Sequence, residues 1–424
     1  MGKGIYLDYA TTTPLDKSVE RAIKPFWSKQ FGNASSLHAE GVGARKALET
    51  ARLSVARNLQ AHASEIVFTS GGTEGNNLAI IGFFGALEKT GKKLSELHAI
   101  TTVIEHSSVK NCFKALEQRG LHVSWAPVGS DGVVRFQTIE KLIIPQTVLI
   151  SVMYANNEIG ALQPISRIGA LLKKANEHRG ERPSVEAIEE LGRRNTEHSS
   201  ANVGSTEPTK ANVRKIFFHT DACQAPLYLD VSQNHLRADL ITLDGHKMYG
   251  PKGVGALYVR RGTPLSSLFF GGEQERELRA GTEPLPLIVG FAEALFRAQV
   301  RRKKESMKIT KLRDFFFESL AREIPGVRIN GSLTDRLPNN VNLSIPGLNA
   351  EFAVLQLDAR GIFCSAKSAC LEGGDESYVV KALGRNDGSE RSSLRFSLGR
   401  STAKGHIRKA ARLLKEVVAM QLRP

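Results

Sequence analysis

Leu243-Asp244-Gly245-His246-Lys247-Met248-Tyr249-Gly250-Pro251-Lys252-Gly253 is the stretch whose reading decides the fold. The run before it, Ala238 to Thr242, is short and apolar and reads as a buried strand; Val254 to Arg261 after it reads as another. Fenced by glycines and a proline, Lys247 thus stands at a strand end, where an α/β sheet presents its chemistry. A lysine amine forms Schiff bases with carbonyls and is tuned for that work by desolvation and neighbouring charge. Read alone, the same stretch is equally a surface loop with solvated lysines.

Working outward, strands and helices alternate. Strand-like Ile5 to Tyr9 precedes helices at Ser18 to Gln30 and Gly41 to Leu59. Strand Glu65 to Thr69 leads into helix Asn77 to Glu88, and strand Ala99 to Ile104 into helix Val109 to Arg119. Strands follow at His122 to Ala126 and Thr147 to Tyr154, then helix Ile165 to Asn176 and strands Lys215 to His219 and Asp239 to Leu243. This alternation predicts an α/β fold with a largely parallel sheet covered on both faces. Between 178 and 213 the chain turns polar, with Ser184 to Arg194 as a short helix capped by Ser184; it reads as a surface insertion, mobile in part. From residue 263 the pattern becomes α+β. Helices run from Pro286 through Glu305 to Ala321, then come strand Asn340 to Ile345, helix Ala350 to Ala359, strand Ser392 to Ser397 and a closing helix Lys404 to Met420. The expected organisation is a large domain over 1–262, its N-terminal segment packing on a smaller domain over 263–424.

The 424 residues suffice for two cores. No apolar run approaches the roughly 20 residues that span a bilayer, so no membrane role is expected. The first residues lack an apolar signal core, which points to a cytoplasmic protein. Four cysteines (Cys112, Cys223, Cys364, Cys370) without a CxxC pair argue against a disulfide framework or a zinc ribbon, and no metal site is expected. The net charge of +15 is dispersed, with no aromatic-interleaved basic patch, so direct nucleic-acid binding is not expected either.

Three further motifs carry chemistry. Phe68-Thr69-Ser70-Gly71-Gly72-Thr73-Glu74 puts glycines and a hydroxyl at a strand-to-helix turn, where backbone N–H groups approach an anion. It lacks the Gly-Lys-Ser/Thr ending of a Walker loop. His219-Thr220-Asp221-Ala222-Cys223-Gln224 ends another strand with a carboxylate able to hold a heteroaromatic nitrogen protonated. His106, in Glu105-His106-Ser107-Ser108, is placed to stack on a flat ring. Singly, each also has a plain structural reading: a capped turn, a helix-capping Asp, a histidine at a strand end.

In combination and in this order, they resemble the NifS/IscS-like cysteine desulfurases of the fold-type I, class V aminotransferase superfamily. The resemblance spans nearly the whole chain apart from the insertion. It rests also on Tyr6-Leu7-Asp8-Tyr9-Ala10-Thr11-Thr12-Thr13-Pro14, Phe31-Gly32-Asn33, Asn156-Asn157-Glu158-Ile159-Gly160, Arg279-Ala280-Gly281-Thr282, Ser368-Ala369-Cys370 and Arg395-Phe396-Ser397-Leu398-Gly399-Arg400. It implies a mostly parallel seven-stranded sheet in the large domain and pyridoxal 5′-phosphate (PLP) as cofactor. By the same resemblance Lys247 carries PLP and moves protons, Asp221 pairs with the ring nitrogen, and His106 stacks on the ring. Gln224 and Asn157 would bond the phenolic oxygen; Gly72, Thr73 and His246 would hold the phosphate, with Thr282 reaching it from the other subunit of a homodimer. Arg395 would grip the substrate carboxylate, with Asn33 and Arg400 near it. Cys370 would be the nucleophile that takes sulfur from L-cysteine as a persulfide, releases L-alanine, and serves an acceptor such as an iron–sulfur scaffold or a tRNA-thiolation relay. The small residues around Cys370 predict a mobile loop. A selenocysteine lyase, a class V aminotransferase or a non-catalytic scaffold are the rival readings. Two positions depart from the family: Asp244 replaces a serine that donates to the phosphate, and Lys367, beside Cys370, replaces a small residue and would lower its pKa.

Overall fold

The structure, a computed structural model, describes residues 4–181, 215–366, 376–385 and 387–422. Nearly all of the insertion read at 178–213, including its short helix, lies outside the described residues, as do Lys367 and Cys370.

In chain order, β1 (Ile5–Tyr6), α1 (Lys17–Ile23), α2 (Ala39–Leu59), β2 (Ile66–Thr69) and α3 (Gly72–Asn77) come first. A π-helical turn (Leu78–Gly82) carries α3 into α4 (Phe83–Lys89). Then follow β3 (His98–Thr102), α5 (Ser107–Gln118), β4 (His122–Ala126), α6 (Phe136–Leu142), β5 (Thr147–Ser151), α7 (Ile165–Glu181), β6 (Phe217–Asp221), β7 (Leu240–Asp244) and β8 (Gly255–Val259). The seven strands β2 to β8 form one sheet in the order β2-β8-β7-β6-β5-β3-β4. Only β8 is reversed, running antiparallel to both β2 and β7. The mostly parallel seven-stranded sheet expected from the sequence is therefore present. Strands β2, β3, β5, β6 and β7 are buried along their whole length, as covering helices on both faces require.

A 39-residue helix, Leu285–Glu323, follows the sheet and packs along α2 and α1. The sequence pattern breaks near Glu305, where a run of basic residues sits, yet the helix continues, because Ile309, Leu312 and Phe316 carry its buried stripe onward. Beyond it, β9 (Arg328–Ile329), β10 (Asn340–Ser344) and β12 (Ser393–Ser397) form an antiparallel sheet with β10 in the middle. The pair β11 (Ile362–Phe363) and β1 runs parallel, and Asp8 bridges to Ser397, so the chain's start is stitched to its C-terminal third. One apolar cluster runs from Leu7 through Val55, Phe291 and Phe316 to Phe396 and Leu414. Among the described residues no helix is long and apolar enough to cross a membrane.

Candidate active site

The parallel strands deliver their C-terminal ends to one place. Lys247 closes a single 3₁₀ turn (Gly245–Lys247) directly after β7. Asp221 is the last residue of β6, Gly72 the first of α3 after β2, and His106 the N-cap of α5 after β3. The side chains surround a cavity of about 260 Å³. Gly72, Thr73, His106, Asn157, Asp221, Gln224, His246, Lys247 and Arg395 all line it. Nine of the residues singled out from the sequence thus share one space.

The N-terminal segment forms part of the wall. Lys247 Nζ donates to the carbonyls of Ala10 (3.0 Å) and Thr11 (2.6 Å), and Gln224 Nε2 also donates to Ala10 O at 3.0 Å. The Thr13 hydroxyl donates to His246 O and accepts the Tyr249 N–H, which fixes the turn that aims the lysine.

Asp221 is held from two sides. Its Oδ1 accepts the Cys223 N–H at 2.9 Å and its Oδ2 accepts Asn76 Nδ2 at 2.8 Å. Asn76 also donates to Ser108 Oγ, whose hydroxyl is 2.8 Å from His106 Nδ1. One chain of hydrogen bonds therefore links the cradle helix, the acid and the histidine. Behind them, burial drives the His219 imidazole down to about 4 despite the nearby Asp221 carboxylate, so it is neutral between Ser151 and Thr242. Burial likewise pushes the Glu105 carboxyl up to about 8, although the Thr102 hydroxyl and the Met153 amide pull the other way.

Arg395 lies in β12 with its side chain 2 % exposed. Nη1 donates to Asn157 O; Nη2 donates to Asp8, Thr11 and Ser365. Its buried Nε has no partner among the described residues, nor has Asn76 Oδ1.

Other expected residues lie elsewhere. Asn33 does not line the cavity; it is exposed and its Oδ1 accepts the Ser35 N–H, closing its own loop ahead of α2. Arg400 does not line the cavity: it pairs with Asp16 and Glu305 and stacks on Tyr249 at 4.0 Å, and its buried Nη2 has no partner among the described residues. Thr282 is exposed in a surface groove with Phe269 and Phe270. Cys370 lies outside the described residues, but Ser365, five positions before it, exchanges backbone hydrogen bonds with Arg395 at the cavity. Cys223 lines the cavity as well, and burial raises its thiol well above the ordinary range. Among the described residues no cluster of His, Cys, Asp or Glu is placed to hold a metal.

Sequence reasoning missed Asn76, Ser108 and Asp8. Asn76 follows Gly72 and Thr73 by four and three positions, the helical spacing that puts it on the cradle's face, and that signal was readable.

The chain as a whole is similar to known proteins. The aminotransferase class-V family matches residues 5–178 and 197–409. A cysteine desulfurase IscS of Dictyoglomus turgidum is 37 % identical over 419 residues, covering 99 % of this chain and 95 % of that one. Among solved structures, a NifS-like protein superposes with a TM-score of 0.83 at 29 % identity, covering 98 % of this chain and 100 % of the other. SspA in complex with cysteine superposes with a TM-score of 0.72 at 34 % identity, covering 93 % and 98 %.

Proposed function

We propose that this chain, which belongs to the aminotransferase class-V family and is a cysteine desulfurase, works through PLP held in the 260 Å³ cavity and delivers sulfur by way of Cys370. The observation that carries the reading is the convergence of Lys247, Asp221 and Arg395 on one cavity, with Arg395 Nε buried and unpartnered among the described residues. The donor set suits the cofactor: an amine for its aldehyde, a carboxylate for its ring nitrogen, and at Gly72 a backbone approach that a Cβ would close.

When bound, PLP supplies the electron sink for cleavage next to the substrate's Cα. The protein does the rest. Arg395, which lines the cavity, takes the L-cysteine carboxylate on its guanidinium and fixes the Cα–H direction. Lys247 holds the coenzyme aldehyde, then moves the proton at Cα. Asp221, kept in place by Asn76 and the Cys223 amide, holds the proton on the ring nitrogen. The Cys370 thiolate attacks the substrate sulfur; the Cβ–S bond breaks with its electron pair left on the carbon side, the sulfur stays on Cys370 as a persulfide, and protonation at Cβ gives L-alanine. An acceptor protein, such as an iron–sulfur scaffold or a tRNA-thiolation relay, takes the sulfur in the cytoplasm.

A homodimer completes the reading. Support comes from Phe270, 91 % exposed beside Thr282, an aromatic surface that a second copy would cover. The test is alanine formation from L-cysteine by protein with a visible coenzyme band. Cys370→Ala is expected to keep the band and lose the product; retained product overturns the assignment.

A further inference from the structure

Asp244 ends β7, three residues before Lys247, and is 8 % exposed. Its Oδ2 accepts the Gly72 N–H at 2.8 Å. Its Oδ1 accepts the His246 N–H at 3.2 Å and lies 3.4 Å from His246 Nε2. A carboxylate of the chain itself thus engages the first amide of the cradle helix and the histidine next to it. These are the donors that the reading above gives to a phosphate. One N–H serves a single acceptor well, and two anions side by side in a partly desolvated wall repel. Space is short as well: a Cβ on Gly72 would stand 3.1 Å from Asp244 Oδ2 and 2.6 Å from Cys223 Sγ. The Lys247 amine helps to keep Asp244 ionised, while its own hydrogen bonds run to the Ala10 and Thr11 carbonyls.

We propose that Asp244 is a built-in competitor for the phosphate end of the coenzyme cradle, satisfying the Gly72 and His246 N–H groups that a bound phosphate would use. The inference rests on reading the cavity as a PLP site. Its consequence is a coenzyme held more loosely than the same cradle would hold it without that charge. The effect falls on the phosphate alone, so Asp244 narrows the preference for the phosphorylated over the unphosphorylated aldehyde.

The experiment is equilibrium binding of PLP and of pyridoxal to the apoprotein, read by tryptophan fluorescence and by coenzyme absorbance, in wild type, Asp244→Asn and Asp244→Ser. The Asn side chain keeps an acceptor for Gly72 and loses the charge; Ser also vacates the space. Both are expected to tighten PLP binding by roughly tenfold or more and to leave pyridoxal within about twofold. No tightening in either variant, or equal tightening of both ligands, overturns the inference. Should neither variant fold, the wild-type preference for PLP over pyridoxal decides: under about a hundredfold supports it and above that overturns it. Lys247→Ala separates the two levels of reading. If the wild-type absorbance band does not depend on Lys247, the site reading fails; if it does and the Asp244 variants bind as wild type, only the role of Asp244 fails.

Discussion

Arg395 Nη2 stands 2.9 Å from Asp8 Oδ1, joining a strand of the C-terminal sheet to the chain's first residues across the cavity wall. The same guanidinium holds Thr11, Ser365 and the Asn157 carbonyl, and its buried Nε has no partner among the described residues. Lysine would keep the charge and lose the planar fork. Arg395→Lys is therefore expected to raise KM for L-cysteine by roughly tenfold to a hundredfold, with a smaller change in kcat. Asp8→Asn leaves the fork intact but loosens it, and a smaller rise in KM is expected. Steady-state kinetics of alanine formation check both.

The hydrogen bond from Asn76 to Asp221 gives a graded pair of variants. Asn76→Leu removes one donor to a buried carboxylate and is expected to lower kcat by about tenfold, the worth of one hydrogen bond to a charged group. Asp221→Asn removes the charge that the proposed function sets against the ring nitrogen and is expected to cost roughly a hundredfold or more. Equal effects of the two variants would show that Asn76 does more than hold the acid.

Gly72 has no room for a methyl group, because a Cβ there would meet Cys223 Sγ at 2.6 Å. Gly72→Ala is expected to weaken coenzyme binding by at least about tenfold. Cys223→Ala on its own is expected to leave turnover within about twofold, since burial keeps that thiol protonated and unreactive. The pair combined is expected to recover part of the lost affinity. Coenzyme titration of the three variants is the measurement.

Glu105 links stability to pH. Its folded pKa is about 8 against an ordinary 4.5, because burial disfavours the charge. A raised folded pKa means that the contribution is fully present below the unfolded value and is lost as pH rises through the folded one. Between about pH 4.5 and 8 the folded chain keeps a proton that the unfolded chain has released, so stability falls with rising pH at up to about 1.4 kcal/mol per pH unit. Glu105→Gln cannot ionise. Its melting temperature relative to wild type is expected to be higher near about pH 8.5 than near about pH 5. A constant offset between the two would contradict the shift.

Much of this was legible in the sequence, for a physical reason. Apolar runs broken by glycine, such as Leu240 to Gly245, mark strands buried on both faces and the turns after them, and chemistry gathers at those turns. The helix after β2 begins earlier than the sequence pattern predicts. Gly72 and Gly75 lower helix propensity, so the pattern suggested a start at Asn77. The structure begins it at Gly72, and Gly75 is required because a Cβ there would lie 2.7 Å from Thr242 Cγ2. Tertiary packing sets that boundary, and local propensity carries no trace of it. Strand β1 lies within the strand-like Ile5 to Tyr9, but β11 and its pairing with β1 were beyond reach, since that pairing joins positions more than 350 residues apart. The same holds for Asp8 with Arg395: side chains that meet only in the folded chain leave no periodicity to read.

The measurement that most directly tests the desulfurase chemistry is the mass of the protein after incubation with L-cysteine, mapped to individual peptides. A gain of about 32 Da on Cys370, absent from Lys247→Ala, is the expected result. Coenzyme-loaded wild-type protein that gains nothing at Cys370, or a gain that persists without Lys247, would contradict it.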